Sequence, residues 1–446
     1  MADNLDTSTL KYFGGKPCRE ARRRGNLPVM KLTSRRLAVL HGREFRRFFT
    51  GYAVSLFGSS MASVAVAFAV LDGGGGGSGL GVVLAARIVP IVLLLVLGGA
   101  AADRLGARRV MLGSDGLRCL TQAAMAALLF AGQARVWALA ALMVLWGLAE
   151  AVFLPGLDAL LPRLVPPGEL ADANALLGIV RNGVPVAGPA LAGLLTAVAG
   201  PGWVLLVDAA SYAAGFAALA LLRLPGAARA TGDRPGLMAE LRAGWGEFGS
   251  RRWLWVSAAQ ACLFNLLVWA PFLVLGPLLA HERLGGARGW GLVMGAYGAG
   301  AVLGGTLLLG RRPARPLRTA VAVTAGWALP SGALALGWPL PAVAVAAAGA
   351  GVTSIVCGAL FATLTQRHVP PEALGRVSAY GTLGAFAFGP VGLALAGPLA
   401  DAVGPGTVLG WGAGWQLLSC GLALTLLGRH EPAGTRSPET APLVRT

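Results

Sequence analysis

Along this chain the apolar residues neither alternate nor keep to one helical face. They come in blocks of about twenty, separated by short stretches rich in arginine, glycine and proline. A block of that length crosses ~30 Å of hydrocarbon at ~1.5 Å per residue. In lipid each backbone amide must be satisfied within its own segment, so the blocks are predicted to be helices. The first six run at about 48–71, 80–102, 110–131, 136–158, 174–198 and 203–222. The second six run at about 253–279, 289–309, 319–337, 341–363, 377–399 and 406–428. The pattern predicts an all-α polytopic membrane protein of twelve spans in two six-helix bundles, 48–222 and 253–428. A basic tail, 1–47, precedes them and a short tail, 429–446, follows. Between them, 223–252 holds Gly232-Asp233-Arg234-Pro235-Gly236, a linker signal, and then Leu237, Leu241, Trp245 and Phe248 at helical spacing. That spacing predicts a short amphipathic helix lying at the interface.

Composition narrows the class. Of 446 residues 55% are hydrophobic and 13% charged, against about 25% charged in a soluble domain. A disordered chain, a small disulfide scaffold and an ordinary soluble enzyme are excluded. The five cysteines are scattered and read as free thiols, and no two of the four histidines sit at a ligand spacing. No nucleophile elbow, metal cluster or phosphate loop is present, so no enzyme, metal or cofactor is expected. Arg35-Arg36 faintly resembles a twin-arginine signal, but Arg43, Glu44, Arg46 and Arg47 cut the apolar stretch short. Met30 could serve as an alternative start.

The net charge of +17 would suggest nucleic acid in a soluble protein. Its placement says otherwise. Of 37 basic residues, 31 fall in the tails and the loops on one side. Only Arg135, Arg283 and Arg288 fall on the other side, and Arg87, Arg118 and Arg181 lie inside spans. The positive-inside rule places both termini in the cytoplasm.

The chain also repeats itself. At a shift of 204, Leu160, Arg163, Val165-Pro166-Pro167, Leu170, Ala175, Gly188 and Ala190-Leu191-Ala192-Gly193 fall on Leu364, Arg367, Val369-Pro370-Pro371, Leu374, Ala379, Gly392 and Ala394-Leu395-Ala396-Gly397. Two parallel six-helix repeats describe a transporter that rocks around a central cavity.

After the second span stands Gly99-Ala100-Ala101-Ala102-Asp103-Arg104-Leu105-Gly106-Ala107-Arg108-Arg109. It resembles the loop signature of the major facilitator superfamily, Gly-x-x-x-Asp-Arg-x-Gly-x-Arg-Arg. Gly183, Gly188, Pro189 and Gly193 resemble that family's glycine-proline antiporter motif. Phe153-Leu154-Pro155-Gly156, Ala173-Asn174-Ala175-Leu176 and Leu374-Gly375-Arg376-Val377-Ser378 resemble the subgroup of the enterobactin exporter and macrolide efflux proteins. The resemblance implies the major facilitator fold and export across a bacterial plasma membrane. It further implies that Gly99, Asp103, Arg104, Gly106, Arg108 and Arg109 form a cytoplasmic latch. By charge alone these residues could instead only set topology, although their arginines can also reach helix carboxyl ends. Leu309 stands where the second half would need the acid, so the latch should be asymmetric. Gly183, Gly188, Pro189 and Gly193 could bend a helix, pack it closely, or both.

Ionisable groups within spans are costly and so are functional candidates. Arg87, Asp115, Arg118, Glu150, Arg181 and Asp208 all belong to the first half. By depth, Asp115 and Glu150 are expected to compete for Arg118 and Arg181, either as a proton-coupling network or as a static one. Arg87 and Asp208 could pair nearer the outer side. The second half offers neutral groups instead, with Gln260, Asn265, Trp269 and Tyr297 as substrate-cavity candidates and Trp327 and Tyr380 nearby. Charges on one wall and aromatics on the other suit an amphipathic organic molecule. The expectation is a monomeric transporter for a drug-like, antibiotic or siderophore-like compound. It would run by alternating access on the proton motive force, with a small molecule, protons and the bilayer as partners and no nucleic acid. An importer or lipid mover on the same scaffold, and a non-transporting receptor, are the alternatives.

Overall fold

The computed structural model describes residues 38–94, 106–223, 245–246, 248–311 and 313–427, and every regular element in them is helical. In the first half α1 spans Arg43–Asp72, α2 Gly76–Leu94, α3 Ala107–Phe130, α4 Val136–Leu160, α5 Leu170–Ala199 and α6 Pro201–Ala220. In the second, α7 spans Arg252–Arg283 and passes through a π turn at Asn265–Trp269. α8 is Gly286–Leu308. α9 is a broken rod of Pro316–Val323, the 3₁₀ turn Thr324–Trp327 and Ala328–Ala335. α10 is Leu340–His368, α11 joins Pro371–Phe386 to Gly389–Val403, and α12 is Pro405–Leu427. The rods fall on the twelve predicted blocks.

Among the described residues, nine stretches are long and apolar enough to cross a membrane. The other three rods fall short for local reasons. α3 carries Arg108, Arg109, Asp115 and Arg118. α9 is interrupted, and α12 dilutes its leucines with Trp411, Trp415, Gln416 and glycines. The interruptions in α7 and α9 are not visible in an apolar pattern. In α9 the 3₁₀ turn seats Gly326 against Thr353 of α10, where a methyl group would stand 2.5 Å from the Thr353 hydroxyl.

The repeat has a physical basis. Gly200 and Gly404, 204 residues apart, both adopt positive φ (88° and 89°) ahead of a proline at the first helical position. Glycine tolerates that backbone and proline suits the next step, so α5–α6 and α11–α12 turn alike. Gly188 of α5 packs on Ser60 of α1, and its repeat partner Gly392 packs on Leu266 and Ala270 of α7. Gly193 of α5 meets Ala287 and Gly291 of α8 across the boundary between halves. Its partner Gly397 of α11 meets Gly77 and Ser78 of α2 across the same boundary. The two halves are therefore joined by two pseudo-symmetric seams, α5 against α8 and α2 against α11.

Both seams lie away from the basic end, the end that carries Arg43, Arg46, Arg47, Arg108, Arg163, Arg252, Arg318 and Arg367. Near the far end two further contacts bridge the halves: Ser78 donates to Asp401 at 2.7 Å, and His281 lies 3.2 Å from Asp72. Toward the basic end, methyl groups at Gly178 and Gly183 of α5 or Gly305 of α8 would meet nothing within 4 Å. Among the described residues the halves thus meet at the far end and are parted toward the basic end. Trp245 and Phe248 of the linker pack around Tyr380 of α11, the first edge-on and the second tilted, and Phe248 is buried. Leu237 and Leu241 of the expected interfacial helix lie outside the described residues, as do 1–37 of the first tail and all of 429–446.

Candidate functional site

Two sites of opposite chemistry occupy the two bundles. In the first, helices α1 to α4 and α6 enclose a polar interior. Arg87 of α2 donates from Nε and Nη2 to the two carboxylate oxygens of Glu150 of α4, each at 2.9 Å. Its guanidinium lies 4.1 Å over the Trp146 ring. The Trp146 indole donates to the Tyr212 hydroxyl at 2.9 Å, and that hydroxyl lies 2.7 Å from Ser59 Oγ. Arg118 stands 3.8 Å from Asp115, one turn away on α3, and 4.4 Å from the Phe153 ring. Bidentate pairing and an aromatic face hold the Arg87 guanidinium, an arrangement that arginine suits and lysine does not.

The pairing differs from the depth estimate. Glu150 is held by Arg87, and Arg118 keeps Asp115. Counted from the far ends of α2 and α4, Arg87 lies ~16 Å deep and Glu150 ~21 Å deep, within reach of an arginine side chain. Depth alone cannot select partners, because helix rotation decides which side chains face each other. Arg181 is exposed on α5 and shares its surroundings with Tyr52 and Asp158 rather than with Glu150. Asp208 makes no ion pair with Arg87. It is fully buried and accepts a hydrogen bond from Ser211 at 3.2 Å.

Of the loop motif, Gly99, Asp103 and Arg104 lie outside the described residues. Gly106 takes φ 87° as α3 begins. Arg108 donates to the carbonyls of Leu219 and Ala220 at 3.0 and 2.6 Å, closing the end of α6 within its own bundle. Arg109 is exposed. Of the helix motif, Gly188 and Gly193 are contact surfaces and Gly183 faces open space, while α5 continues unbroken through Pro185 and Pro189.

The second bundle encloses a cavity of about 580 Å³. Its lining runs from Thr324, Trp327 and Gln416 in mid-bundle to Phe248, Gln366 and Ser378 at the basic end, and among the described residues includes no charged side chain. Gln260 lines it and donates to Thr324 at 3.3 Å. Asn265, Trp269 and Tyr297 do not line it. The Asn265 amide donates to its own helix at Ala261, at the start of the π turn. Trp269 and Tyr297 pack instead around Trp327, whose indole donates to Ser354 at 2.7 Å. Gln416 is buried, donates to the Thr324 carbonyl at 2.8 Å, and leaves Oε1 without a partner.

The profile described as Major Facilitator Superfamily matches residues 48–393. The chain belongs to the major facilitator superfamily. It is 31% identical over 365 residues to the multidrug efflux pump Tap of Mycolicibacterium fortuitum, covering 78% of this chain and 87% of that protein. It is 24% identical over 379 residues to macrolide efflux protein A of Streptococcus pyogenes, covering 81% and 90%. Among solved structures, the nucleoside transporter NupG superimposes with a TM-score of 0.67 at 13% identity, covering 87% of this chain and all of that one. A bacterial homologue of the iron transporter ferroportin gives 0.64 at 18% identity, covering 87% and 99%. This major facilitator chain is therefore a multi-pass integral membrane transporter for small molecules and not an enzyme.

Several of its site residues escape a reading of sequence that ranks charges first. Gln122, Trp146, Tyr212 and Ser59 in the first bundle, and Thr353, Ser354 and Gln416 in the second, are neutral. A polar side chain inside an apolar block was the available signal for Gln122 and Gln416.

Proposed function

We propose that this transporter exports an uncharged, amphipathic organic compound of drug-like size, driven by protons flowing inward. The observation that carries the proposal is the cavity of about 580 Å³ with no charged side chain among its described lining residues, set beside a first bundle that holds the buried carboxylates. That volume falls in the range of small-molecule sites, roughly 300–1,000 Å³. Trp327, Phe264, Phe361 and Phe386 offer apolar faces, and Gln260, Gln416, Thr353 and Ser354 offer hydrogen bonds. A siderophore-like chelate, with anionic donor groups, would find no cation among the described lining residues. Export as the direction is supported by the efflux named for Tap and for macrolide efflux protein A. The basic end is the cytoplasmic one by the positive-inside rule, so the cavity faces the cytoplasm in this state. The functional unit is a monomer with both termini in the cytoplasm.

Inside-out membrane vesicles with an acid interior test the proposal. The uncharged dye Nile red should accumulate in them, and nigericin should abolish the accumulation. The cationic dye ethidium should accumulate less. Gradient-driven accumulation of ethidium but not of Nile red would overturn the choice of substrate class. Dye movement in the opposite direction would identify an importer.

A further inference from the structure

Of the buried carboxylates, Asp208 has the least company. Its residue is wholly enclosed on α6, ~10 Å from the far end of that helix at seven residues from Pro201. Oδ1 accepts from Ser211, and Oδ2 has no hydrogen-bond partner. Beside it stands Gln122 of α3, also wholly buried, with neither carboxamide atom partnered. The charged and titratable groups facing Asp208 are Arg87 of α2, Arg118 and Cys119 of α3 and Tyr212 of α6. Among the described residues neither arginine forms an ion pair with it. Arg87 is taken by Glu150 and Arg118 by Asp115. α1 contributes no charge here. It contributes Gly58, where a methyl group would stand 2.6 Å from Asp208 Oδ1.

We infer that Asp208 and Gln122 form a proton-binding site, and that in this far-end-closed state Asp208 is the neutral acid, its Oδ2 hydroxyl donating to the Gln122 carboxamide oxygen. A buried carboxylate facing only neutral donors and no paired cation is costly, and a proton on Oδ2 removes that cost. The same proton supplies the partner that both Oδ2 and Gln122 lack. Glutamine suits both protonation states. Rotating the amide presents its oxygen to the acid or its N–H to the carboxylate.

The site is placed to sense the rocking of the bundles. On α1, Gly58 touches Asp208, Ser59 bonds Tyr212 and Ser60 packs on Gly188 of α5. Three consecutive residues thus join the acid to the helix that forms the α5–α8 seam. With the seams open, external water would reach Asp208 and a proton would pass from hydronium to Oδ2. With the seams closed, as here, it would leave to cytoplasmic water. The assignment rests on proton-coupled export as proposed above.

Infrared spectroscopy of the purified transporter in liposomes tests it without any transported compound. The wild type at neutral pH should show a protonated carboxyl C=O band that Asp208→Asn lacks and that Gln122→Leu shifts. A band unchanged in Asp208→Asn overturns the assignment, and a band unmoved in Gln122→Leu overturns the role of the amide, even where one variant folds poorly. In proteoliposomes, Asp208→Asn should abolish gradient-driven Nile red accumulation while exchange of the dye, which moves no net proton, persists. Gradient-driven accumulation retained by Asp208→Asn also overturns it. Failure of the wild type to respond to a pH gradient would sink proton-coupled export instead, and the infrared band would still decide whether Asp208 holds a proton.

Discussion

Replacing Gly193 with alanine should open the far end of the transporter. At this point α5 and α8 approach so closely that the added methyl would lie 2.5 Å from the Ala287 carbonyl oxygen, 2.6 Å from Gly291 Cα and 3.0 Å from Gly291 N. Ordinary carbon contacts begin near 3.5 Å, so the helices must separate by about 1 Å. All three obstacles are backbone atoms, and no side chain can swing aside. Overpacking of this kind costs ~1–3 kcal/mol. The cost falls only on the state whose seam is closed, because the seam parts in the other. Taking ~2 kcal/mol, the closed-to-open ratio should fall about 30-fold, since ~1.4 kcal/mol is a factor of ten. Two exposed positions at the far end, Gln133 in the first half and Glu282 in the second, can carry spin labels. Pulsed electron paramagnetic resonance should show a longer-distance population rising in Gly193→Ala. Gly414→Ala, on a helix away from both seams and with open space around the new methyl, should leave the distances as in the wild type. A wild-type distribution in Gly193→Ala would mean that the α5–α8 contact does not set the balance between states.

Other substitutions separate structure from transport. Glu150→Gln leaves the Arg87 guanidinium without its anion, and since these side chains are 23% and 30% exposed, the loss should sit near the low end of ~3–5 kcal/mol. Thermal unfolding in detergent should show a large drop in Tm that Arg87→Gln in the same chain largely restores. The transport that survives should keep its wild-type pH profile, and a changed profile would return Glu150 to the proton path. Arg108→Ala removes two charge-assisted hydrogen bonds to the end of α6 and should cost about 2 kcal/mol by the same measurement, with Arg108→Lys restoring only part. Gly358→Phe, at a lining position where an added methyl meets nothing within 4 Å, fills the cavity of the second bundle and should abolish Nile red export while leaving Tm near the wild-type value. Asp72→Asn weakens a pair whose side chains are 53% and 42% exposed, so the distance distribution should move far less than in Gly193→Ala, by a worth of ~0.5 kcal/mol or below.

What the sequence discloses and what it conceals follow from how each feature is encoded. The twelve blocks were legible because most spans carry their own apolar length, and the weaker α3, α9 and α12 fall in sequence between or beside stronger ones. The repeat was legible because Gly188 and Gly193, like Gly392 and Gly397, act by what they lack, and a missing side chain is demanded at the same place in both halves. The Arg87–Glu150 pair was not legible. Its members are 63 residues apart, and their meeting depends on the rotation of α2 against α4. The second-bundle cavity was concealed for a different reason. It draws scattered neutral residues from α7, α9, α10, α11 and α12, and a threonine or glutamine in a span is cheap enough to be placed anywhere. A buried charge announces itself because it is expensive, so the proton-handling half of such a protein can be read from its charges. The substrate-handling half must accept varied shapes by apolar contact and a few movable hydrogen bonds, and those same features leave no mark in a string of residues. Gln122 stands between the two cases. It is neutral and cheap by itself, and its meaning comes only from lying beside an acid that has no other partner.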